Sequence, residues 1–373
     1  MTTSTMKLET RVANLTERSE ALAVARAAWG LYALLSIWKN KSTPQKIALP
    51  SFLCQSPLAA ILQAEWEPEF CDVDPETGNV SNDEWERVIK LGVDAILFVH
   101  LFGNVADAGR IAKICKAKGI YFIEDAAQSL GGDLEGRPCG SFGDASIVSF
   151  GHTKIIDAGH GGMVLTNDSK LANEVKNCQD NYSRYTLDTS SVAKTFSEMF
   201  YAARHCLASS PEAAREAFNG LMSIYKPLIF TRWEPDISEK VLLRLNNLES
   251  SVRARREKNE TYKDMLRDTA LVPLKMSPGS VPWRAAFRLP GISWAEQETI
   301  SDSVRTENVD ISNWYVPAHW LMEKTSIPLV SLKSTELLSK EIFQLWLDDN
   351  TDLDKVKHAA SLLSIKLDEL GYC

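Results

Sequence analysis

Three short segments hold side chains that could do chemistry together: IEDAAQ (123–128), GSFGDASIVSFGHTK (140–154) and DAGHGGMVLTND (157–168). Lys154 brings an amine that can condense with an aldehyde. Asp125 brings a carboxylate that can hold a proton on a ring nitrogen, because a nearby negative charge favours the cationic form. Ser149 offers a hydroxyl, and Gly159, Gly161 and Gly162 allow a tight backbone turn beside the lysine. The start of an Ala-rich segment, around Ala27 and Ala28, can present backbone N–H groups to an anion. The set suits an aldehyde cofactor with a pyridine ring and a phosphate. Each residue also has a plainer use on its own. Lys154 could be a solvated surface lysine, Asp125 a helix cap, Gln128 and Ser149 fillers at strand ends, and Cys54 a small buried side chain.

The elements around these segments alternate. KIALP (46–50), EFCDVD (69–74), DAILFVH (94–100), YFIEDAA (121–127), DASIVSF (144–150) and GMVLTND (162–168) read as strands. QSPLAAILQA, NDEWERVIKL with Asn82 as its cap, and ADAGRIAKICKAKG ending at Gly119 read as helices between them. Residues 19–38 read as one buried helix on the strength of their length. Such alternation predicts an α/β large domain with a mostly parallel sheet covered by helices on both faces. Ligands of such sheets bind at the carboxyl ends of the strands, where His100, Asp125 and Ser149 stand. Residues 183–230 read as a helical insert with a Ser-Ser-Pro break at 209–211, and 238–268 as one long charged helix. The expected division is a large domain over 1–230 and a smaller C-terminal α+β domain over 231–373, two domains being the norm for 373 residues.

Bulk properties narrow the function. The net charge is −8, which disfavours a nucleic-acid partner because that affinity comes from clustered Lys and Arg. The seven cysteines form no CxxC pair, so neither a disulfide framework nor a metal site is indicated, and reduced thiols in a cytoplasmic protein are expected. Neither a signal peptide nor a membrane span is expected, since no apolar run approaches the length of a spanning helix.

The spaced motifs resemble the DegT–DnrJ–StrS family of pyridoxal-phosphate-dependent sugar aminotransferases, which have the fold-type I architecture. That family reads EDAAQ, then GSFGD…SFHPTK, then GEGGxVxTND. Upstream, ALPSFLCQSPLAAILQA is similar to VPSFTFVATANAI, and VHLFGNVAD to VHLYGQPAD. The similarity is dense over 20–182 and thin over 231–373. It implies that Lys154 binds the cofactor and moves protons, that Asp125 pairs the pyridinium, and that Gln128 meets the ring's phenolic oxygen. It implies that Ser149 and the amides near Ala27 and Ala28 hold the phosphate. Cys54 occupies the position of the aromatic residue that stacks on the ring. His319, in WYVPAH, falls near the sugar, and His160, which replaces the acid of GEGG, is grouped with it. Glu234 stands where an asparagine of the family reaches the neighbouring subunit's phosphate. The implied activity moves an amino group from glutamate or glutamine to a nucleotide-linked keto sugar, in surface-polysaccharide or secondary-metabolite amino-sugar synthesis, within a homodimer whose active sites lie at the interface. A non-nucleotide keto acceptor, or sugar dehydration on the same fold, is the alternative.

Overall fold

The computed structural model describes residues 2–40, 42–179, 187–225, 230–231, 233–322 and 332–372. The chain opens with α1 (Thr3–Leu15), β1 (Glu20–Val24), α2 (Ala27–Trp38), β2 (Lys46–Pro50), α3 (Gln55–Gln63) and β3 (Glu67–Cys71). It continues through α4 (Asn82–Leu91), β4 (Ala95–Val99), α5 (Ala108–Lys118) and β5 (Tyr121–Asp125), then a small hairpin of β6 (Asp133–Leu134) and β7 (Arg137–Pro138), then β8 (Ala145–Ser149), β9 (Gly162–Thr166) and α6 (Ser169–Gln179). Seven of these strands make one sheet in the order β1-β9-β8-β5-β4-β2-β3. Its neighbours pair in parallel from β8 to β3, and β9 runs antiparallel to both β8 and β1. The sheet is therefore mixed but mostly parallel. Its inner strands are mostly apolar, as strands covered on both faces are: β4 and β9 are fully buried.

Local chemistry sets most boundaries. Asp107 caps α5 by accepting from the Arg110 N–H at 3.1 Å, and Gly119 ends that helix at φ +70°. The cap of α4 is Ser81, whose hydroxyl accepts from the Glu84 N–H at 3.2 Å; Asn82, the expected cap, is instead the first helical residue. The expected strand over 69–74 is displaced to Glu67–Cys71. Asp72 leaves it to cap α12 (Lys333–Glu341), accepting from the N–H groups of Ser334 and Thr335 at 3.0 and 2.7 Å.

Two long helices expected from the sequence are each divided. Residues 19–38 are not one helix: Glu20–Val24 is a strand, paired with β9 from Glu20↔Thr166 to Val24↔Gly162, and α2 begins only after an extended Arg26 (φ −152°). Cross-strand pairing overrides the helical preference of Ala and Leu here. Residues 238–268 form α9 (Ile237–Leu245) and α10 (Leu248–Leu266), separated at Asn246-Asn247, where Asn247 leaves helical geometry at φ −103°, ψ 8°. Asparagine disfavours helix interiors because its side chain competes for the backbone.

Between the sheets lie α7 (Leu187–His205) and α8 (Pro211–Tyr225), parted at the Ser-Ser-Pro break as expected; residues 183–186 and 226–229 of the anticipated insert lie outside the described residues. Arg204 of α7 is buried, and burial pushes its guanidinium down to about 10. It pairs with Glu298 at 3.2 Å on α11 (Trp294–Arg305) and donates to Gln297 and to the carbonyl of Asn313. The C-terminal part is an antiparallel sheet in the order β10-β11-β13-β12, made of Val272–Pro273, Ala285–Arg288, Ile342–Leu345 and Ile311–Ser312 respectively. With α10, α11 and α13 (Leu353–Glu369) it encloses a second apolar cluster that includes Tyr262, Phe287, Ile300, Phe343 and Leu363.

Gly162 shows how closely α2 rides over the sheet. A β-carbon there would fall 2.4 Å from the backbone nitrogen of Ala27 and 2.9 Å from the carbonyl oxygen of Val148. Neither backbone atom can swing away. Gly162→Ala is expected to destabilise the fold by about 1–3 kcal/mol, the usual cost of overpacking. A denaturation midpoint equal to that of the parent would show that α2 can lift off at no cost.

Candidate active site

The register of the sheet brings the chemistry together. Asp125 closes β5 opposite Val99 of β4 and Ile147 of β8. Ser149, at the end of β8, pairs with Gly162, which also pairs with Val24 just before α2. The ends of β5 and β8, the start of β9 and the N-terminus of α2 thus share one edge of the sheet. A cleft of about 770 Å³, counting its solvent mouth, opens there. Of the nine residues expected at the site, eight line it: Lys154, Asp125, Gln128, Ser149, Ala27, Ala28, Cys54 and His160.

Adjacent carboxylates on β5 have opposite fates, as alternation along a strand requires. Glu124 is fully buried and accepts from the N–H groups of Gly140 and Phe142, both at 2.7 Å, from Ser146 Oγ at 3.2 Å and from His100 Nε2 at 3.0 Å. His100 Nδ1 accepts from the Ala106 N–H, so Nε2 carries the ring proton that Glu124 receives. Arg18 reinforces the same loop by donating to the carbonyls of Gly140 (2.8 Å), Gly143 (3.1 Å) and Phe142. Asp125 faces the cleft instead. Among the described residues its carboxylate accepts one hydrogen bond, from the Ala127 N–H at 2.9 Å. Burial pushes its carboxyl up, against the lowering influence of that N–H and of the nearby Lys154 and His100 charges.

Lys154 sits past the end of β8, in a loop with an unusual backbone. Thr153 holds φ +66°, the left-handed region. Asp157 accepts its N–H at 2.8 Å and the Gly159 N–H at 2.8 Å. Burial opposes the Asp157 charge, but the hydrogen bonds from Thr153, His152 and Gly159 prevail and hold its carboxyl below the usual range. Trp283 donates its indole N–H to the Thr153 carbonyl at 2.6 Å, and Lys154 Nζ lies 5.2 Å from the centre of the Trp283 ring.

Gln128 accepts the Phe102 N–H at 2.6 Å and donates to the Tyr315 hydroxyl at 3.0 Å, which leaves one amide hydrogen for another acceptor. His160 pairs with Glu234 of the same chain at 3.5 Å; burial lowers its imidazole pKa more than Glu234 raises it. His319 is the residue not brought to the cleft. It is buried beside β2, with Nδ1 at 2.7 Å from Ser51 Oγ and Nε2 at 3.4 Å from Glu336.

Three contributors escaped the sequence reading. Arg26 lines the cleft from the residue before α2, where a short polar cap is the commoner choice. Tyr225, at the end of α8, walls the mouth and contacts Ser56. Trp283 comes from the thinly matching C-terminal half. Only Arg26 carried a readable signal, its charge at the mouth of a helix.

An amine, a buried carboxylate, a hydroxyl and a helix N-terminus on one cleft define a site for an aldehyde cofactor with a basic ring and an anionic tail. The donor set fits such a group, and Gly161 lines the same cleft. The chain belongs to the DegT/DnrJ/EryC1/StrS aminotransferase family, whose sequence profile matches residues 2–200. A dTDP-4-dehydro-2,3,6-trideoxy-D-glucose 4-aminotransferase of Saccharopolyspora spinosa is 36% identical over 130 residues, 35% of this chain and 34% of that one. The match thus spans about a third of that relative's length. Among solved structures, the Helicobacter pylori aminotransferase PseC, involved in the biosynthesis of pseudoaminic acid, superposes with a TM-score of 0.80 at 18% identity, over 99% of this chain and 92% of that one. The Spr1654 protein of Streptococcus pneumoniae in its PLP form gives 0.78 at 16% identity, over 99% and 92%. These likenesses identify the fold as that of fold-type I enzymes.

The raised pKa of Asp125 carries a sign. A carboxyl that holds its proton more tightly in the fold lends stability at acid pH, which is lost as pH rises through the raised value. Asp125→Asn is therefore expected to stabilise the cofactor-free protein at neutral pH, by about 0.5–2 kcal/mol, as other relieved functional sites do. It should also flatten the pH dependence of the urea midpoint. A lower midpoint for the variant at neutral pH would contradict this.

Proposed function

We propose that the protein is a pyridoxal-phosphate-dependent aminotransferase that moves an amino group from glutamate or glutamine to a nucleotide-linked keto sugar. The reading is carried by one juxtaposition: the Lys154 amine and the buried Asp125 carboxylate line the same cleft, at the ends of neighbouring parallel strands. Family membership and the aminotransferase relatives support it.

When bound, the cofactor supplies an electron sink that accepts negative charge from the carbon losing its proton. The chain supplies the rest. Lys154 Nζ would hold the cofactor by its aldehyde carbon, and the same amine would take the proton from the donor's α-carbon as a general base. Asp125 keeps a proton on the ring nitrogen. Ser149 and the N–H groups at the start of α2 bind the phosphate. The spare amide hydrogen of Gln128 orients the ring by its phenolic oxygen. Cys54 gives the ring a small, soft neighbour in place of an aromatic one. His160 and Tyr225 line the same cleft and would meet the acceptor there. The balance is simple: the donor leaves as its keto acid, and the keto sugar leaves as an amino sugar.

Lys154→Ala is expected to lose the visible absorption of lysine-bound cofactor and to slow transfer by at least the 10²–10⁴-fold typical of a lost general base. An unchanged spectrum would remove Lys154 from this role. Nitrogen-15 glutamate or glutamine offered with a panel of keto sugars, with and without a nucleotide, should label a nucleotide-linked sugar. Label confined to a free sugar or keto acid would reassign the acceptor, and label in no product would end the aminotransferase reading. The assembly is read as a homodimer with shared sites, on the strength of the family; a sedimentation velocity profile showing only the single-chain mass at assay concentrations would remove it.

A further inference from the structure

The most strained residue near the reacting amine is the one before it. A β-branched side chain at φ +66° sits in the left-handed region, which crowds any residue with a β-carbon. Such conformations persist only where the surroundings over-determine them, and they gather at functional sites. Two groups hold Thr153. On its N–H side stands Asp157, a loop neighbour at 2.8 Å. On its carbonyl side stands the Trp283 indole at 2.6 Å, 130 residues further along the chain. Trp283 is itself fixed: its backbone N–H donates to the Phe102 carbonyl at 2.9 Å, its carbonyl accepts from Arg255 at 3.2 Å, its ring stacks on Phe102 at 10° between planes, and Arg284 covers it at 4.6 Å.

We infer that Trp283 is a positioning residue for Lys154. Its indole N–H clamps the Thr153 carbonyl, so the turn stays left-handed and the next side chain is aimed into the cleft. Its ring face, 5.2 Å from Nζ, bounds the space that the amine can sweep. The hydroxyls, amides and carboxylates of the cleft bind and polarise; Trp283 stands outside the cleft lining and acts through Lys154, by the Thr153 carbonyl and by its ring face. The inference rests on the reading of Lys154 as the amine that captures the cofactor.

The test follows capture of pyridoxal phosphate by the purified full-length protein. Absorbance gives the rate, borohydride trapping and peptide mapping give the site, and urea titration gives the folded fraction. Four proteins are compared: the parent, Trp283→Phe, Thr153→Gly and the double variant. Trp283→Phe keeps an aromatic face but loses the donor. It should slow capture roughly tenfold, the scale of one lost hydrogen bond that fixes geometry. Thr153→Gly relieves the strain, since glycine adopts positive φ freely. It should raise the urea midpoint, and in its background Trp283→Phe should slow capture by no more than about twofold, because little strain is left for the clamp to oppose. Equal slowing in both backgrounds would make Trp283 a packing residue, and no slowing in either would remove it from the site. A lower midpoint for Thr153→Gly would show that Thr153 is not strained, and would also overturn the inference. Trapped label on a lysine other than 154 in the parent would overturn the functional reading itself, and this inference with it.

Discussion

Everything at this site depends on two neighbouring carboxylates that cannot face the same way. Strand geometry turns Glu124 into the protein and Asp125 into the cleft. Glu124 is the structural one, taking hydrogen bonds from β4's end, from β8 and from the loop that connects β5 to β8. That saturation lets Asp125 remain under-satisfied. A buried acid with one backbone donor is costly by itself, and the cost is tolerable because the strand beneath it cannot relax. The fold thus keeps a reactive charge ready by surrounding its neighbour completely.

The one strand of the seven-stranded sheet that runs against the others, β9, has a comparable effect on the amine. A parallel β9 would need a crossover after β8, and Lys154 would then begin a long connection. Because β9 returns at once, residues 150–161 form a tight loop over the strand ends, tied by Phe150 and Ala158 and by Asp157. Lys154 is held at the same edge as Asp125 and α2. Trp283 reaches this loop from the C-terminal half, so that half takes part in the site although it carries little of the recognisable sequence.

Much of this was legible in the residues. The parallel strands from β2 to β8 announced themselves as apolar runs. Residue types at the strand ends and in the motifs pointed to Lys154, Asp125, Ser149, Ala27 and Ala28, and the family resemblance added Gln128, Cys54 and His160; all eight line one cleft. What was illegible was tertiary. Glu20–Val24 has a helix-former's composition, and only its partner β9 makes it a strand. Asn246-Asn247 divides a helix that charge patterning would continue. His319 sits in a promising motif, yet Ser51 and Glu336 hold it away from the cleft. Trp283 had no signal, because its role depends on a carbonyl that no pattern announces.

Arg204 gives the region over 187–225 a different standing from an ordinary surface loop. Its guanidinium is buried against Glu298, Gln297 and Asn313, all from the C-terminal half. Removing those helices would strand Glu298 without its main counter-charge. Tyr225, at the far end of the same unit, meanwhile shapes the cleft mouth. The segment is therefore bolted at one end and functional at the other. Anyone transplanting it to a relative, to alter which acceptor enters, would have to carry the matching surface of α11 along with it.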